Sequence, residues 1–432
     1  MAAPPERVGP DSEVVREWLA EYGYETMRAE TLEQVVERLD TAIVARVPEL
    51  TDRDMRRDLA ASTRSHARTI LSGLTADGQE FQLPEEAHAL ARTIARRGFE
   101  LRVLLRTYHA GMDAVLDYMN DAIDQRPIPP EIERAVTLRL FDRATKWISM
   151  SVERLTDTYM EEREQVLRAA LNRRTETVRA LLAGDEIDVE LASVRLGYRL
   201  SQQHLAFVLW ADEPAAEPGG GGEMVGLLDR TAAKLAGALG SSRVLTLPSG
   251  ASGMWAWAGL DDAARAAELS APGTLERALS GVLEAPVRAA FGVAAGHLAG
   301  FRESHREAVA ARQVAERGSV AGASRVTAYR AVEVAYLAGV DEAAMHGLVA
   351  RELRALAGRD VNAARLRETL HAYLLSHRSP EGTAKLLGVH KNTVRYRIQR
   401  IEQLLGHPIE QRSLALEIAL ACVAAYGVDV LP

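Results

Sequence analysis

The sequence predicts a multidomain protein with an all-α N-terminal part, an α/β middle part and an all-α C-terminal part that holds a helix-turn-helix. Three observations carry this reading. The chain has 432 residues, and at roughly 100–200 residues per domain that makes two to four domains. Its texture changes twice: helical periodicity runs from Ser12 to about Leu182, short apolar runs of strand type follow Gly184, and helices return from Glu333. Its charge is uneven as well. The net charge is -8, yet the segment from Arg378 to Arg400 holds Arg378, Lys385, Lys391, Arg395, Arg397 and Arg400 against Glu381 alone. That local excess of five positive charges concentrates any attraction for phosphate in one place.

Composition removes several classes. Hydrophobic residues make up 47% and charged residues 26%, which suits a folded protein with real cores. The nearest approach to a membrane span, Ser413 to Val428, is interrupted by Glu417. The N-terminus shows no apolar h-region of a secretory signal. Cys422 is the single cysteine, so an intramolecular disulfide and a cysteine-based zinc cluster are both excluded. The expectation is a cytoplasmic protein with no membrane partner.

In order, Asp52 opens one helix, and Pro84 with Glu85 and Glu86 opens another, the acids lying near the positive end of the dipole. Gly73, Gly78 and Gly98 mark breaks, and Arg126-Pro-Ile-Pro-Pro130 is the clearest. Glu131 to Leu182 then contains neither proline nor glycine. Leu140, Ala144, Trp147, Ser151 and Leu155 share one helix face, so the stretch is either one long connector, paired with its twin in a dimer, or two ordinary helices in succession. Beyond Gly184, His204 to Trp210 reads as a strand and Asp212 to Gly222 as a linker. Met224 to Leu239 is helical, and Arg243 to Leu247 with Met254 to Trp257 form two strands around the turn Pro248 to Gly253. Val287 to Ala295 is a further strand, Ser304 to Glu316 a helix and Arg325 to Tyr329 a last strand.

The most informative stretch is Leu366 to Leu405. A first helix carries Leu366, Leu370, Tyr373, Leu374 and His377 on one face; a short second one runs from Pro380 to Leu387; Gly388 breaks it; a third runs from about Lys391 to Leu405. Two helices joined by a tight glycine turn form a helix-turn-helix whose second helix enters the DNA major groove. At 100° per residue, Val394, Ile398, Ile401 and Leu405 form the buried stripe, with Ala384 small at the crossing and Leu387 and Val389 beneath the turn. Asn392, Tyr396, Gln399 and Gln403 point the other way, with Arg395 beside them. Arginine pairs with guanine, and Asn or Gln with adenine, through two hydrogen bonds each. Lys391 and Thr393 sit at the helix start, where backbone N–H groups approach phosphate, and Arg397 and Arg400 on its flanks hold phosphates. The plain alternative for the charges alone is a solvated helix face.

These residues resemble a known family. Thr369-Leu-His-Ala-Tyr-Leu374 followed by Thr383-Ala-Lys-Leu-Leu-Gly-Val-His-Lys-Asn-Thr-Val-Arg-Tyr-Arg-Ile-Gln-Arg-Ile-Glu402 resembles the C-terminal helix-turn-helix of PucR/CdaR-type bacterial transcriptional regulators. Leu182-Ala-Gly-Asp-Glu186, Leu196-Gly-Tyr-Arg-Leu-Ser201, Gly292-Val-Ala-Ala-Gly296 and Ser304-His-Arg-Glu-Ala308 resemble that family's GGDEF-like middle domain. The stretch Arg97 to Gly111 resembles, more loosely, the all-helical RsbT co-antagonist N-terminal domain. The resemblance implies a helical sensor domain at 12–160, a connecting helix at 161–183, a GGDEF-like α/β domain at 184–330 and a helical domain at 331–432 with its helix-turn-helix at about 380–405. It also implies a ligand-responsive transcription factor acting as a homodimer or higher even oligomer. Its partners would be double-stranded DNA and an unknown small-molecule effector.

Other classes leave weaker traces. A nucleotide cyclase needs carboxylates holding Mg²⁺ at a hairpin between two central strands, and the turn Ser249-Gly-Ala-Ser-Gly253 has none. His66 or His109 could ligate a haem, against the simpler structural role, and Arg96, Arg97, Arg102 and Arg106 could hold an anion, against a salt-bridged face. Cys422 reads as a buried hydrophobe. The expectation is therefore no enzyme, with no catalytic, cofactor or metal residues. The alternative is a signalling scaffold that regulates by binding a partner protein through its N-terminal domain.

Overall fold

A computed structural model describes residues 9, 12–73, 82–125, 129–211, 221–279, 281–318 and 325–432. Gly78, Arg126 to Ile128 and most of the expected linker after Trp210 lie outside the described residues. The chain divides into two compact units, Met1–Arg173 and Arg174–Pro432.

The first unit is built from α1 (Glu13–Thr26), α2 (Ala29–Arg46), α3 (Arg53–Ser72), α4 (Glu85–Arg96), α5 (Leu101–Asp124) and the first part of α6 (Pro130–Ala183). Asp52 caps α3 by accepting from the Asp54 and Met55 amides. With neither glycine nor proline after Pro130 to interrupt it, α6 is one helix of 54 residues rather than two in succession. Trp147, Ile148, Leu155 and Tyr159 of α6 close a core made by Leu50, Met55, Leu90, Ile94 and Leu104. The four arginines considered as an anion site are paired: Arg96 with Glu162, Arg97 with Asp52 and Asp54, Arg102 with Glu100, and Arg106 with Glu49. His109 is exposed, with Nδ1 on the Leu105 carbonyl at 2.7 Å.

The second unit opens with the end of α6 and α7 (Val189–Leu196), then β1 (Gln203–Ala211), α8 (Gly221–Ala238), β2 (Val244–Pro248), β3 (Gly253–Leu260), α9 (Ala263–Leu269), α10 (Thr274–Ala278), β4 (Val287–Phe291), β5 (Ala295–Gly296), α11 (His297–Arg317) and β6 (Val326–Ala328). The strand order is β2-β3-β1-β4-β6, with β5 paired to β1. Among the described residues only β4 and β6 run parallel; β1 is antiparallel to both β3 and β4, with Phe207 opposite Ala256 and Phe291. The alternation of β1 divides the core. Leu205, Phe207 and Leu209 face α8, while Ala206 and Val208 face the layer of Phe301 and Ala308 from α11 and Val178 and Leu181 from α6. The two stretches Gly292 to Gly296 and Ser304 to Ala308 meet: Ser304 Oγ accepts from the Ala206 amide at 2.8 Å, and the Val293 amide donates to Glu307. Because β2 is outermost, the acid-free hairpin lies at the sheet edge and not between central strands.

The rest of this unit is α12 (Tyr329–Ala338), α13 (Glu342–Leu353), α14 (Val361–Leu375), α15 (Pro380–Leu387), α16 (Lys391–Leu405) and α17 (Ser413–Tyr426). Val314 of α11 joins their common core with Leu353, Leu370, Ile401, Leu416 and Tyr426. Against expectation, Ile409–Val430 matches a membrane span by length and composition, with a mean hydropathy of 1.7. Leu416, Ala419, Leu420, Cys422 and Tyr426 of that stretch are nevertheless buried inside the helical core. Burial pushes the Cys422 thiol up to about 11.

Candidate nucleic-acid interface

Local sequence builds the helix pair. Pro380 takes the first helical position of α15, where no amide partner is needed, and Ser379 Oγ accepts from the Gly382 amide at 3.1 Å. Gly388 ends α15 at φ 63, a left-handed conformation that glycine adopts without a Cβ penalty. Two residues on, His390 caps α16, its Nδ1 accepting from the Asn392 amide at 3.2 Å. Arg354 donates to the Leu405 carbonyl and so closes the other end of α16. The helix is thus held at both termini, and Val394, Ile401 and Leu405 are fully buried beneath it. Ile398, expected in the same stripe, is half-buried.

The outward face is free. Asn392, Arg395, Tyr396 and Gln399 are exposed, and their side chains make no hydrogen bond or ion pair among the described residues. Tyr396 is 71% exposed. The spacing of three, four and seven residues puts all four on one stripe. The remaining residues of the segment are engaged or partly sheltered. Lys391 Nζ lies 3.4 Å from Glu381, and Arg400 donates to Gln403 at 3.2 Å. Thr393 is half-buried. Arg397 is also half-buried and donates to Thr369 Oγ1 on α14 at 3.1 Å, so its phase on the helix, read as a flank, also points it back at the domain.

Three supports went unread in the sequence. Glu352 is 4% exposed and ion-paired to Arg412, whose hydrogen bond holds its carboxyl below the ordinary range. Arg367 is buried and donates to the Leu356 and Gly358 carbonyls. Arg354 is the third. None had a local motif to announce it, because in each case the partner lies in a turn or another helix. Among the described residues no group of three or more His, Cys, Asp or Glu side chains converges as a metal site would require.

Fold and helix pair together define a helix-turn-helix protein with an α/β domain ahead of it. Comparison with known families assigns the parts. Residues 33–174 match the RsbT co-antagonist protein rsbRD N-terminal domain, residues 180–314 the GGDEF-like domain, and residues 366–424 the PucR C-terminal helix-turn-helix domain. Each of the three parts thus resembles a domain of known type, and the last of them is a PucR-type helix-turn-helix. Over 51 residues it is 55% identical to an uncharacterized protein in the pkwA 5′ region of Thermomonospora curvata, covering 12% of this chain and 28% of that one. Over 62 residues it is 42% identical to the transcriptional activator PmfR of Paenarthrobacter nicotinovorans, covering 14% of this chain and 13% of the activator. The match therefore spans less than a third of either relative. A regulator of polyketide synthase expression from Bifidobacterium adolescentis, known as a crystal structure, aligns over 58% of this chain and 91% of its own at 22% identity, with a TM-score of 0.29.

Proposed function

We propose that the chain is a cytoplasmic, non-enzymatic transcriptional regulator that binds specific DNA as a dimer and responds to a small molecule sensed by its N-terminal or middle domain. The observation that carries this reading is the unpartnered stripe Asn392, Arg395, Tyr396 and Gln399 on a helix anchored at both ends. A rigid helix with free base-reading groups is what major-groove recognition requires. The name of the curated activator points the same way. Lys391, Thr393, Arg397 and Arg400 border the stripe and supply phosphate contacts, Arg397 by leaving Thr369. The proposed domain limits are 12–160, 161–183, 184–330 and 331–432.

Dimerisation has a physical reason. One recognition helix buries too little surface for tight binding, and two half-sites about one helical turn apart are the usual solution. Met160, Leu167 and Leu171 are exposed on α6 at seven- and four-residue spacing, the stripe a paired helix would cover.

The test is retardation of genomic fragments at physiological salt, followed by two substitutions in the full chain. Arg395→Ala is expected to cost roughly 1–3 kcal/mol on the selected site and much less on random DNA. Lys391→Ala is expected to weaken all sequences alike and to lower the salt slope by about one unit. A chain that retards no fragment would point to the scaffold reading; equal losses on both DNAs from Arg395→Ala would move base reading to another face of α16.

A further inference from the structure

The helical unit holds a partly open cavity of about 80 Å³ where α1, α2, α3, α5 and α6 converge. Its wall is mostly hydrocarbon, from Leu39, Ile43, Leu59, Ile70 and Val115, and among the described residues no Asp, Glu, Lys or Arg lines it. One side is different. Trp147 Nε1 donates to His66 Nδ1 at 3.3 Å, His66 Nε2 lies 3.2 Å from the Tyr108 hydroxyl, and Tyr108 in turn bonds Ser62.

This chain of groups has a direction. Indole N–H can only donate, so His66 Nδ1 is the acceptor and the ring carries its hydrogen on Nε2. Burial keeps the imidazole neutral, its pKa held down to about 4. His66 then donates to Tyr108; of the two hydrogens on the Tyr108 and Ser62 hydroxyls, their mutual bond uses one, and the other is the end of the series, at the cavity wall that both residues line. A ligand there meets that hydrogen on a wall that is otherwise mostly apolar. A charged ligand would lose its hydration with no counter-charge in return.

We propose that this cavity is a binding site for a small uncharged molecule, mostly hydrocarbon, whose single oxygen accepts the spare hydrogen of the Tyr108–Ser62 hydroxyl pair. The volume is about half the ~150 Å³ that takes benzene in an engineered protein core, so the ligand is smaller than benzene. Trp147 belongs to α6, so the occupied cavity bears on the helix that runs on to Ala183. Its regulatory consequence rests on the ligand-responsive reading above; its occupancy does not.

Saturation-transfer NMR on the full chain, without DNA, tests it with 1-butanol and 2-butanone as probes and butyrate as the charged control. Both neutral probes are expected to give saturable signals at millimolar concentration, and butyrate none. Gly111→Leu fills the space from α5 and is expected to abolish both signals. The double variant Ser62→Ala, Tyr108→Phe keeps the space and is expected to weaken both probes by about 3- to 10-fold, the value of one hydrogen bond. Absence of saturable binding, butyrate binding equal to that of 1-butanol, or affinity unchanged in both variants overturns the proposal. DNA retardation by the same preparation shows separately whether the regulator reading stands.

Discussion

A Cβ added at Gly111 in the helical unit would sit 3.6 Å from Ile43 Cδ1, an ordinary contact, while one added at Gly292 in the sheet domain would fall 2.0 Å from the Ser304 carbonyl oxygen. The two interiors differ in the same sense elsewhere. In the sheet domain Trp257 stacks on Phe301 at 4.5 Å between centroids and Phe207 on Phe291 at 5.2 Å. In the helical unit, buried rings and hydroxyls surround open space. Helices meeting at varied angles leave gaps that side chains must fill, whereas a sheet and the helix lying on it share a surface and close on each other. The close-packed region suits a scaffold that holds its shape, and the looser one suits a region that admits something.

The comparison breaks most visibly at Gly292→Ala. Backbone is in the way and cannot swing aside, so the second unit is expected to lose about 3 kcal/mol or more, read as a fall in its urea midpoint. A near-neutral result would mean that α11 can move off the sheet and that the contrast is overstated.

Acid sharpens it next. His204 and His305 in the sheet domain are held by burial at about 4. Each unfolded imidazole takes a proton near 6.5 that the folded one refuses, so stability is complete above 6.5 and is lost as pH falls toward 4. The full loss is about 3 kcal/mol per histidine. In the helical unit His66 acts in the same direction, but burial raises Asp40 to about 6, and that group loses stability as pH rises from 3.8 to 6. The two oppose each other within one window. Hydrogen exchange at pH 4.5 and 7 is therefore expected to show the sheet domain weakened more than the helical unit. Equal weakening would remove Asp40 from the account.

The smallest effect has the opposite sign. Gly111→Ala is expected to stabilise the helical unit by about 0.5–1 kcal/mol, because helix propensity improves and the methyl enters open space. A thermal scan that moved downward would show the cavity to be narrower than described.

Much of this was legible beforehand, for reasons that differ by element. The absence of glycine and proline after Pro130 allowed an uninterrupted α6, yet period alone left one helix and two equally open. The apolar runs of β1 to β4 stand out because both faces of the sheet are covered. β5 is two residues long and left no pattern, and α11 begins at His297, seven residues before Ser304, because its first turn carries no apolar repeat. On α16 the phase of the helix located the free stripe. It could not show that Arg397 reaches Thr369, since that partner lies 28 residues away on another helix. The cavity was invisible for a related reason: it is the space left over after several helices have packed, and no single residue encodes it.

The uninterrupted backbone of α6 behaves as a shaft. At 1.5 Å per residue its 54 residues extend about 80 Å, and away from its two ends the helical pattern ties each turn to the next by hydrogen bonds. Such a rod has no loop in which to absorb an added or missing residue. Two residues inserted after Leu171 would turn the helix face beyond them by about 200° around the axis, whereas seven would restore the azimuth to within about 20°. Changes of length along this helix are therefore tolerable in heptad steps, and a graded insertion series would expose the molecule's sensitivity to torsion rather than to reach.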